Sequence, residues 1–316
     1  MRVIEGLEAL LALDLRARFG DTVEGRSVVA VGVFDGVHIG HQRLLHELLE
    51  MGSELKGAPT VLTFRGHPDG VLRGKAPPLL VSVPHRLRLL RRAGVLRLLL
   101  LEFDDWVRAM PARVFAERVL ARSLRTTGLL LGYDSALGRD REGTPERFRA
   151  LGREFGFEVR TGTPLLVDGA PVSSSAIRTA IRTGDLDLAQ RLLGRLPSVL
   201  GTVVHGDQRG RRLGFPTANV VPQVPLLPPR GVYAVQVLLD GEILPGIANL
   251  GVRPTFEGDD PVLEVHLLGI ERDLYGRELE VGFLKFLRPE RAFEDEDALR
   301  AQIRVDVETA RGLAQA

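Results

Sequence analysis

The sequence predicts an α/β domain built on a parallel sheet, followed by a small antiparallel β-barrel domain closed by a C-terminal helix. Three observations lead there. In roughly the first 186 residues, short continuous apolar runs alternate with segments of helical period. That is the pattern of βαβ units whose sheet is covered on both faces. Beyond residue 186, strand-like runs follow one another with few helical stretches between them, as in a small closed barrel. The chain then finishes on an amphipathic helical pattern.

In order, RSVVAVGVF (26–34), TVLTF (60–64), VLRLLLLEF (95–103), TGLLLGYD (127–134) and FEVRTGTPLL (157–166) read as buried strands. Between the first two, HQRLLHELLEM (41–51) puts Leu44, Leu45, Leu48 and Leu49 on one helical face. GDLDLAQRLLGR (184–195) reads as a helix with Asp185 as its N-cap. PSVLGTVVHG (197–206), GVYAVQVLLDGEILPGIANLG (231–251) and PVLEVHLLG (261–269) supply barrel strands. Asp240-Gly241 marks a hairpin, since a type I′ turn needs positive φ at both central residues. DEDALRAQIRVDVETARGLA (295–314) is the closing helix. The expected division is residues 1–186 and 187–316.

Composition narrows the function. Of 316 residues, 44% are hydrophobic and 26% charged, and the net charge is +1. No bulk charge points to nucleic acid or to an acidic membrane surface. The only lysines are Lys56, Lys75 and Lys285, so phosphate must be held by arginine, backbone N–H groups or metal. The absence of cysteine excludes disulfides, thiolate catalysis and cysteine zinc sites. Glu5, Glu8 and Asp14 interrupt the amino-terminal apolar run, which argues against a signal peptide. With no apolar run long enough to span a bilayer, the expectation is a cytoplasmic protein, monomeric or weakly oligomeric, with no nucleic-acid or membrane partner.

VAVGVFDGVHIGHQRLL places Gly32, His38, Gly40 and His41 where the first strand meets its helix. The carboxyl ends of parallel strands are where open α/β sheets bind ligands. A helix amino terminus there offers unpaired N–H groups to phosphate. Two imidazoles spaced by three residues can both face a triphosphate. The longer string GVFDGVHIGHQRLL (32–45) resembles the adenylyltransferase half of bacterial bifunctional riboflavin kinase/FAD synthetases. TFRGHP (63–68), GYDSALGRDREGT (132–144) and VSSSAIRTAIRTGDLDLAQRLLGR (172–195) resemble further segments of that family, in the same order.

The resemblance implies a Rossmann-like nucleotidylyltransferase domain that transfers AMP from ATP to FMN. It implies that His38, His41, Gly32, Phe34 and Gly40 meet the ATP phosphates, joined by Ser174, Ser175 and Arg178. It assigns Asp134 to the flavin and ribose region. The chain departs from the family pattern at Ser135 and Leu137, which stand where two aromatics are usual, at Gly66 in place of proline, and at Ser175 in place of threonine. Lost aromatic faces weaken stacking by about 0.5–1.5 kcal/mol per pair. A riboflavin kinase with weak or lost FAD synthesis is therefore a second reading, and a non-catalytic flavin- or nucleotide-binding regulator a third.

The second half has no P-loop string. GTVVHGDQRGRRLGFPTANV (201–220) instead leads glycines and arginines into Pro216, Thr217 and Asn219. A hydroxyl and an amide carbonyl are hard oxygen ligands suited to Mg²⁺. With GVYAV (231–235), ANLGVRPTF (248–256), LEVHLL (263–268), DLYGRELEV (273–281) and RAFEDEDALRAQIRVD (291–306), this half resembles riboflavin kinase from end to end. Strand alternation sets Leu263, Val265 and Leu267 on one face and Glu264 on the other.

This second resemblance implies that Glu264 is the general base for the riboflavin 5′-hydroxyl and that Thr217 and Asn219 hold Mg²⁺. Gly210, Arg211, Gly214 and Pro216 are implied for ATP, and Arg253 and Phe256 for the flavin. The full expectation is a bifunctional enzyme acting on riboflavin, FMN, FAD and ATP with Mg²⁺.

Overall fold

A computed structural model describes the chain except for Asp134, Ala136, Asp207, Gln208, Pro225, Phe256, Glu257, Glu271 and Ala316. The side chains of Arg16, Arg209, Arg211, residues 253–255, residues 258–260 and Gln315 also fall outside the description. Asp134 and Phe256, expected near the flavin, thus lie outside the described residues, as do the side chains of Arg211 and Arg253. Spatial contacts divide the chain into two compact units. One is Met1–Pro77 with Arg86–Ser173; the other is Pro78–His85 with Ser174–Ala316.

The first unit is built on a six-stranded parallel sheet. Its strands are β1 (Arg2–Glu5), β2 (Ser27–Val31), β3 (Ala58–Phe64), β4 (Arg97–Leu101), β5 (Thr126–Leu131) and β6 (Glu158–Thr161), in the order β1-β4-β3-β2-β5-β6. Every residue of β2, β3 and β4 is buried. Their continuous apolar runs are the sequence image of a sheet covered on both faces. The helix Ile39–Glu54 buries Leu45, Leu48 and Met51, with Leu44 and Leu49 half-buried beside them. Leu62, Leu99, Leu129 and Leu131 pack on one face of the sheet with Val119, Leu120 and Phe148.

The structure shortens expected strands and adds one that was not expected. The run at 157–166 is extended only as Glu158–Thr161, while Leu166–Val167 (β7) pairs with Ala170–Pro171 (β8) in a separate small ladder. Pro164 cannot donate to a ladder, which fits the break. The run at 127–134 leaves the sheet after Leu131. Arg2–Glu5 joins the sheet edge by pairing with β4; its burial alternates little, so it left no clear strand pattern.

The second unit is a closed barrel of β9 (Ser198–Val204), β10 (Ala218–Pro222), β11 (Gly231–Leu239), β12 (Glu242–Thr255), β13 (Gly258–Leu267) and β14 (Glu278–Arg288). The order around it is β10-β13-β12-β11-β14-β9, antiparallel throughout. Val203, Val220, Val235, Ala248, Leu250, Leu263, Val265 and Phe283 fill its interior. Asp240 and Gly241 turn the β11–β12 hairpin with φ of 53° and 89°, the two positive angles that a type I′ turn requires. The helix Leu186–Leu193 starts where the Asp185 carboxylate accepts the Leu188 N–H at 3.0 Å.

The C-terminal helix Glu296–Gln315 covers the outer barrel face. It lays Val307, Ala310, Ile303 and Leu313 against Ala234, Ile247 and Leu268. A forked ion pair fixes it: Arg288 donates from Nε and Nη2 to the Asp306 carboxylate at 2.8–3.1 Å, and Gln302 adds a further N–H at 2.9 Å. Asp306 is 4% exposed. Removing one partner would leave a charge in low dielectric. Asp306→Ala is therefore expected to destabilise the barrel unit by about 3 kcal/mol, read as a shift in its urea midpoint at unchanged slope.

Candidate functional site

In the first unit, β2 ends in a tight turn before its helix. Gly32 N–H still donates to Leu62 O at 3.1 Å. Phe34, Gly36 and Val37 then take φ of 52°, 79° and 42°. Left-handed angles at two non-glycine residues are unfavourable in isolation, so the surroundings must hold them. Three donors act on the turn's own carbonyls. Thr63 Oγ1 and Arg86 Nη1 both donate to Val33 O, at 2.9 and 2.8 Å, and Gln42 Nε2 donates to Val37 O at 2.9 Å.

His38 is the N-cap of the helix, and its Nδ1 accepts the His41 N–H at 3.2 Å. That bond assigns the imidazole tautomer. A nitrogen that accepts carries no proton, so the neutral His38 ring holds its hydrogen on Nε2. The rings of His38 and His41 stack with centroids 3.6 Å apart and planes 16° from parallel. Phe34 lies against His41 at 5.1 Å. Gly40 permits this packing, because a Cβ there would stand 3.2 Å from the His38 ring. Burial first, then His38, then Arg86 push the His41 pKa well below its ordinary value. His41 therefore stays neutral at physiological pH and offers a single N–H. Its Nδ1 is buried without a hydrogen-bond partner.

Gly32, Phe34, His38, Gly40 and His41 are thus brought together as the sequence led one to expect. Leu137, in the segment where an aromatic is usual, is spent on packing. It pairs with Gly143 through two backbone hydrogen bonds and lies against the sheet core. Ser135 is half-buried.

Ser174, Ser175 and Arg178 sit on the helix Ser174–Thr183, which groups with the barrel unit. Ser175 is exposed and Arg178 buried, its Nε donating to Pro78 O at 2.8 Å.

In the barrel, antiparallel register sets three side chains in one row. Glu264 of β13 stands opposite Asn219 of β10 and opposite Asn249 of β12. Residues directly opposite on antiparallel strands point to the same face. The neighbours Leu263 and Val265 point into the core, so the row faces out of the barrel interior. Asn219 Oδ1 and Asn249 Oδ1 are both buried without a hydrogen-bond partner, a cost of about 1–3 kcal/mol each.

Asn249 Nδ2 donates to Glu290 at 2.9 Å. Only the amide nitrogen can donate to a carboxylate, so this bond fixes which end of Asn249 points away from Glu290. Sequence reading missed Asn249. Its signal was the polar residue at 249 within the apolar 248–251 run, one residue out of phase with the core.

In the segment joining β9 to β10, Gly206 lies against Asn219. A Cβ on Gly206 would overlap the Asn219 amide, at 2.2 Å from Nδ2. Gly210 O accepts from Phe215 N–H at 2.9 Å and Leu213 N–H at 3.1 Å. Gly210 also lies close to Thr217, since a Cβ on it would be 2.9 Å from Oγ1. Gly214 takes φ of 86°. Pro216 O contacts His266 Nδ1 at 2.8 Å. The unpaired amide oxygen of Asn219 and, two residues before it, the Thr217 hydroxyl are hard oxygen ligands of the kind that suit a divalent cation. Among the described residues, no group of three His, Cys, Asp or Glu could hold a metal. Arg253 contributes backbone to β12 opposite Asp260.

Comparison with known proteins finds a different family model in each half of the chain. A riboflavin kinase family model matches residues 193–314, and an FAD synthetase family model matches residues 21–176. The chain is 41% identical over 286 residues to a bifunctional riboflavin kinase/FMN adenylyltransferase of Escherichia coli, covering 90% of this chain and 91% of that one. Proteins of the same description from Haemophilus influenzae and Bacillus subtilis are 39% and 33% identical, over 90–91% of this chain and 92% of theirs. A crystal structure from Streptococcus pneumoniae, described as a macrolide-efflux protein, aligns with a TM-score of 0.82 at 29% identity, covering 98% of this chain and 99% of that one.

The depressed pKa of His41 predicts a pH dependence. The unfolded imidazole takes a proton below about pH 6.5, whereas the folded one resists it. Stability tied to His41 is therefore intact above that pH and is lost as pH falls below it. His41→Gln should lack this loss. Between about pH 6.5 and 5.5, its urea-unfolding free energy should gain about 1 kcal/mol on the parent chain.

Proposed function

The chain belongs to the family of bifunctional riboflavin kinase/FMN adenylyltransferases, and from that premise we propose how its residues share the two reactions. The enzyme phosphorylates riboflavin with ATP to give FMN and ADP, and adenylylates FMN with ATP to give FAD and pyrophosphate. We assign adenylylation to residues 1–186 and phosphorylation to residues 187–316. The two family matches, at 21–176 and 193–314, support that division.

The observation that carries the kinase assignment is the register row Asn219–Glu264–Asn249. Glu264 is half-buried on a face turned away from the core, where a carboxylate can accept a proton from the riboflavin 5′-hydroxyl as its oxygen attacks the γ-phosphorus. The O–H bond breaks to Glu264, the new P–O bond forms in line, and the β–γ bridging oxygen leaves with ADP. Thr217 Oγ1 and the orphaned Asn219 Oδ1 would hold Mg²⁺, which neutralises phosphate charge when bound. Gly210, Arg211, Gly214 and Pro216 border the ATP phosphates in this reading. Arg253 and Phe256 line the flavin side by resemblance alone.

For adenylylation, the FMN phosphate attacks the α-phosphorus and pyrophosphate leaves. Charge grows on the phosphate oxygens, and in this reading the His38 Nε2–H and the neutral His41 ring donate to it. Gly32, Phe34 and Gly40 shape the turn that receives the phosphates. Ser174, Ser175 and Arg178 bind triphosphate by resemblance, and Asp134 the ribose or flavin. No covalent enzyme intermediate is required. We place the protein in the cytoplasm as a monomer or weak oligomer with small-molecule partners only. That placement rests on its ordinary globular composition and near-zero net charge. No helix among the described residues is long and apolar enough to cross a membrane.

One observation favours a second reading, in which FAD synthesis is weak. Leu137 is occupied by core packing, and Ser135 offers no ring. Chromatographic analysis of product from riboflavin, ATP and Mg²⁺ over time separates the two. FMN followed by FAD supports both activities, and FMN alone supports the second reading.

Substitutions should divide the reactions. Glu264→Ala is expected to slow FMN formation by about 10²–10⁴-fold while leaving adenylylation of supplied FMN intact. His41→Ala should lower FAD formation by about 10²-fold and spare FMN formation. If either variant, folded by circular dichroism, stopped both reactions, the two-site assignment would be wrong. Asn219→Ala should raise the Mg²⁺ concentration needed for half-maximal kinase rate without changing that of the adenylyltransferase.

A further inference from the structure

Beneath the histidine turn lies a side chain that the reaction scheme above does not use. Arg86 is fully buried, at 0% exposure, and is the largest side chain so enclosed among the described residues. It enters from the helix Val83–Arg92. Its guanidinium ties together the carboxyl ends of two neighbouring strands. Nη1 donates to Val33 O at 2.8 Å, while Nη2 donates to Phe64 O and, at 3.4 Å, to Arg65 O. Nε is buried with no partner.

Burial lowers the Arg86 pKa to about 10, with nearby Asp35 acting to raise it. The group therefore remains cationic at neutral pH. A permanently charged, fork-shaped donor is costly to bury, and holding two strand ends could be done more cheaply by neutral groups.

Two features make this more than a structural tie. Val33, whose carbonyl Arg86 holds, directly precedes Phe34, the first residue of the left-handed turn that delivers His38 and His41. Phe64, the second carbonyl held, ends β3, the strand beside β2 in the sheet. The guanidinium therefore fixes the turn against its neighbouring strand. It also sets a full positive charge close enough to lower the pKa of His41, at the strand edge where phosphate would approach.

We propose that Arg86 is a positioning residue for FMN adenylylation, holding the Val33–Val37 turn in the geometry that aims His38 and His41 at the α-phosphate and placing a buried positive charge behind them. The proposal rests on the reading of that turn as the adenylylation site. Arg86 touches no substrate in it. Its effect is on how well the turn matches the transferring phosphoryl group, so its loss should appear mainly in kcat and less in KM for ATP.

The test uses the full chain, with riboflavin phosphorylation as an internal reference. Arg86→Met removes charge and donors at similar length, and Arg86→Lys keeps the charge and a single donor. The expected result is that Arg86→Met lowers kcat for FMN adenylylation by about 10²-fold, the scale of a misplacement near 1 Å, with KM for ATP changed far less. Arg86→Lys should recover part of that loss, and neither variant should slow FMN formation.

Full adenylylation by Arg86→Met would overturn the proposal. So would equal losses in both variants that track a fall in melting temperature, since they describe a purely structural tie. Should Arg86→Met fail to fold, Arg86→Lys decides alone: a lowered kcat at parental melting temperature supports positioning, and parental kcat refutes it. If the parent chain itself makes no FAD, the reading of the site fails first, and the inference falls with it.

Discussion

The constraint on which the rest depends is that a buried backbone polar group must find a partner, and at the ends of strands the ladder no longer supplies one. In the first unit the carbonyls of Val33 and Phe64 are met by Thr63 and Arg86 instead. Because those donors are fixed by the packed sheet and helix, the chain between β2 and its helix cannot relax to an ordinary turn. Phe34 and Val37 accept left-handed angles, and the two imidazoles arrive stacked at the helix start. A polar satisfaction problem at the sheet edge is thus solved by a geometry that sets a helix amino terminus and two imidazoles at the end of β2, the kind of arrangement that suits a phosphate.

The barrel reaches its site by a different route. Its interior admits only apolar side chains, so the pleat sends every second residue out. Leu263 and Val265 are claimed by the core, and Glu264 between them is not. Antiparallel register then places Asn219 and Asn249 on either side of it. The two buried amide oxygens left without donors are costly in the free chain. Such unpaired groups are where a ligand gains most on binding, because it relieves a cost already present.

The contrast also bears on the divergent segment of the first unit. Where aromatic faces are usual, this chain carries Ser135 and Leu137, and Leu137 has become part of the apolar packing around Ala112 and Phe148. Leu137 and Val33, at the start of the histidine turn, pack against the same apolar cluster.

Much of this was legible in the sequence. Continuous apolar runs in β2 to β5 implied a sheet buried on both faces. Alternation in Leu263–Leu267 implied a half-turned strand, Asp240-Gly241 a hairpin, and Asp185 a helix start. His38, Gly40 and His41 were marked by spacing alone as a strand-to-helix site. What sequence could not supply was partnership across distance. Nothing in HRLRLLRR (85–92) distinguishes the one arginine that is wholly buried from half-buried Arg88 or exposed Arg91 and Arg92, because burial is decided by which strand ends the helix meets. Asn249 becomes a neighbour of Glu264 only when β12 and β13 pair in this register. Local chemistry and period are written along the chain; the partners of Arg86 and Asn249, and the burial that shifts His41, depend on residues tens of positions away, and only the folded structure brings those together.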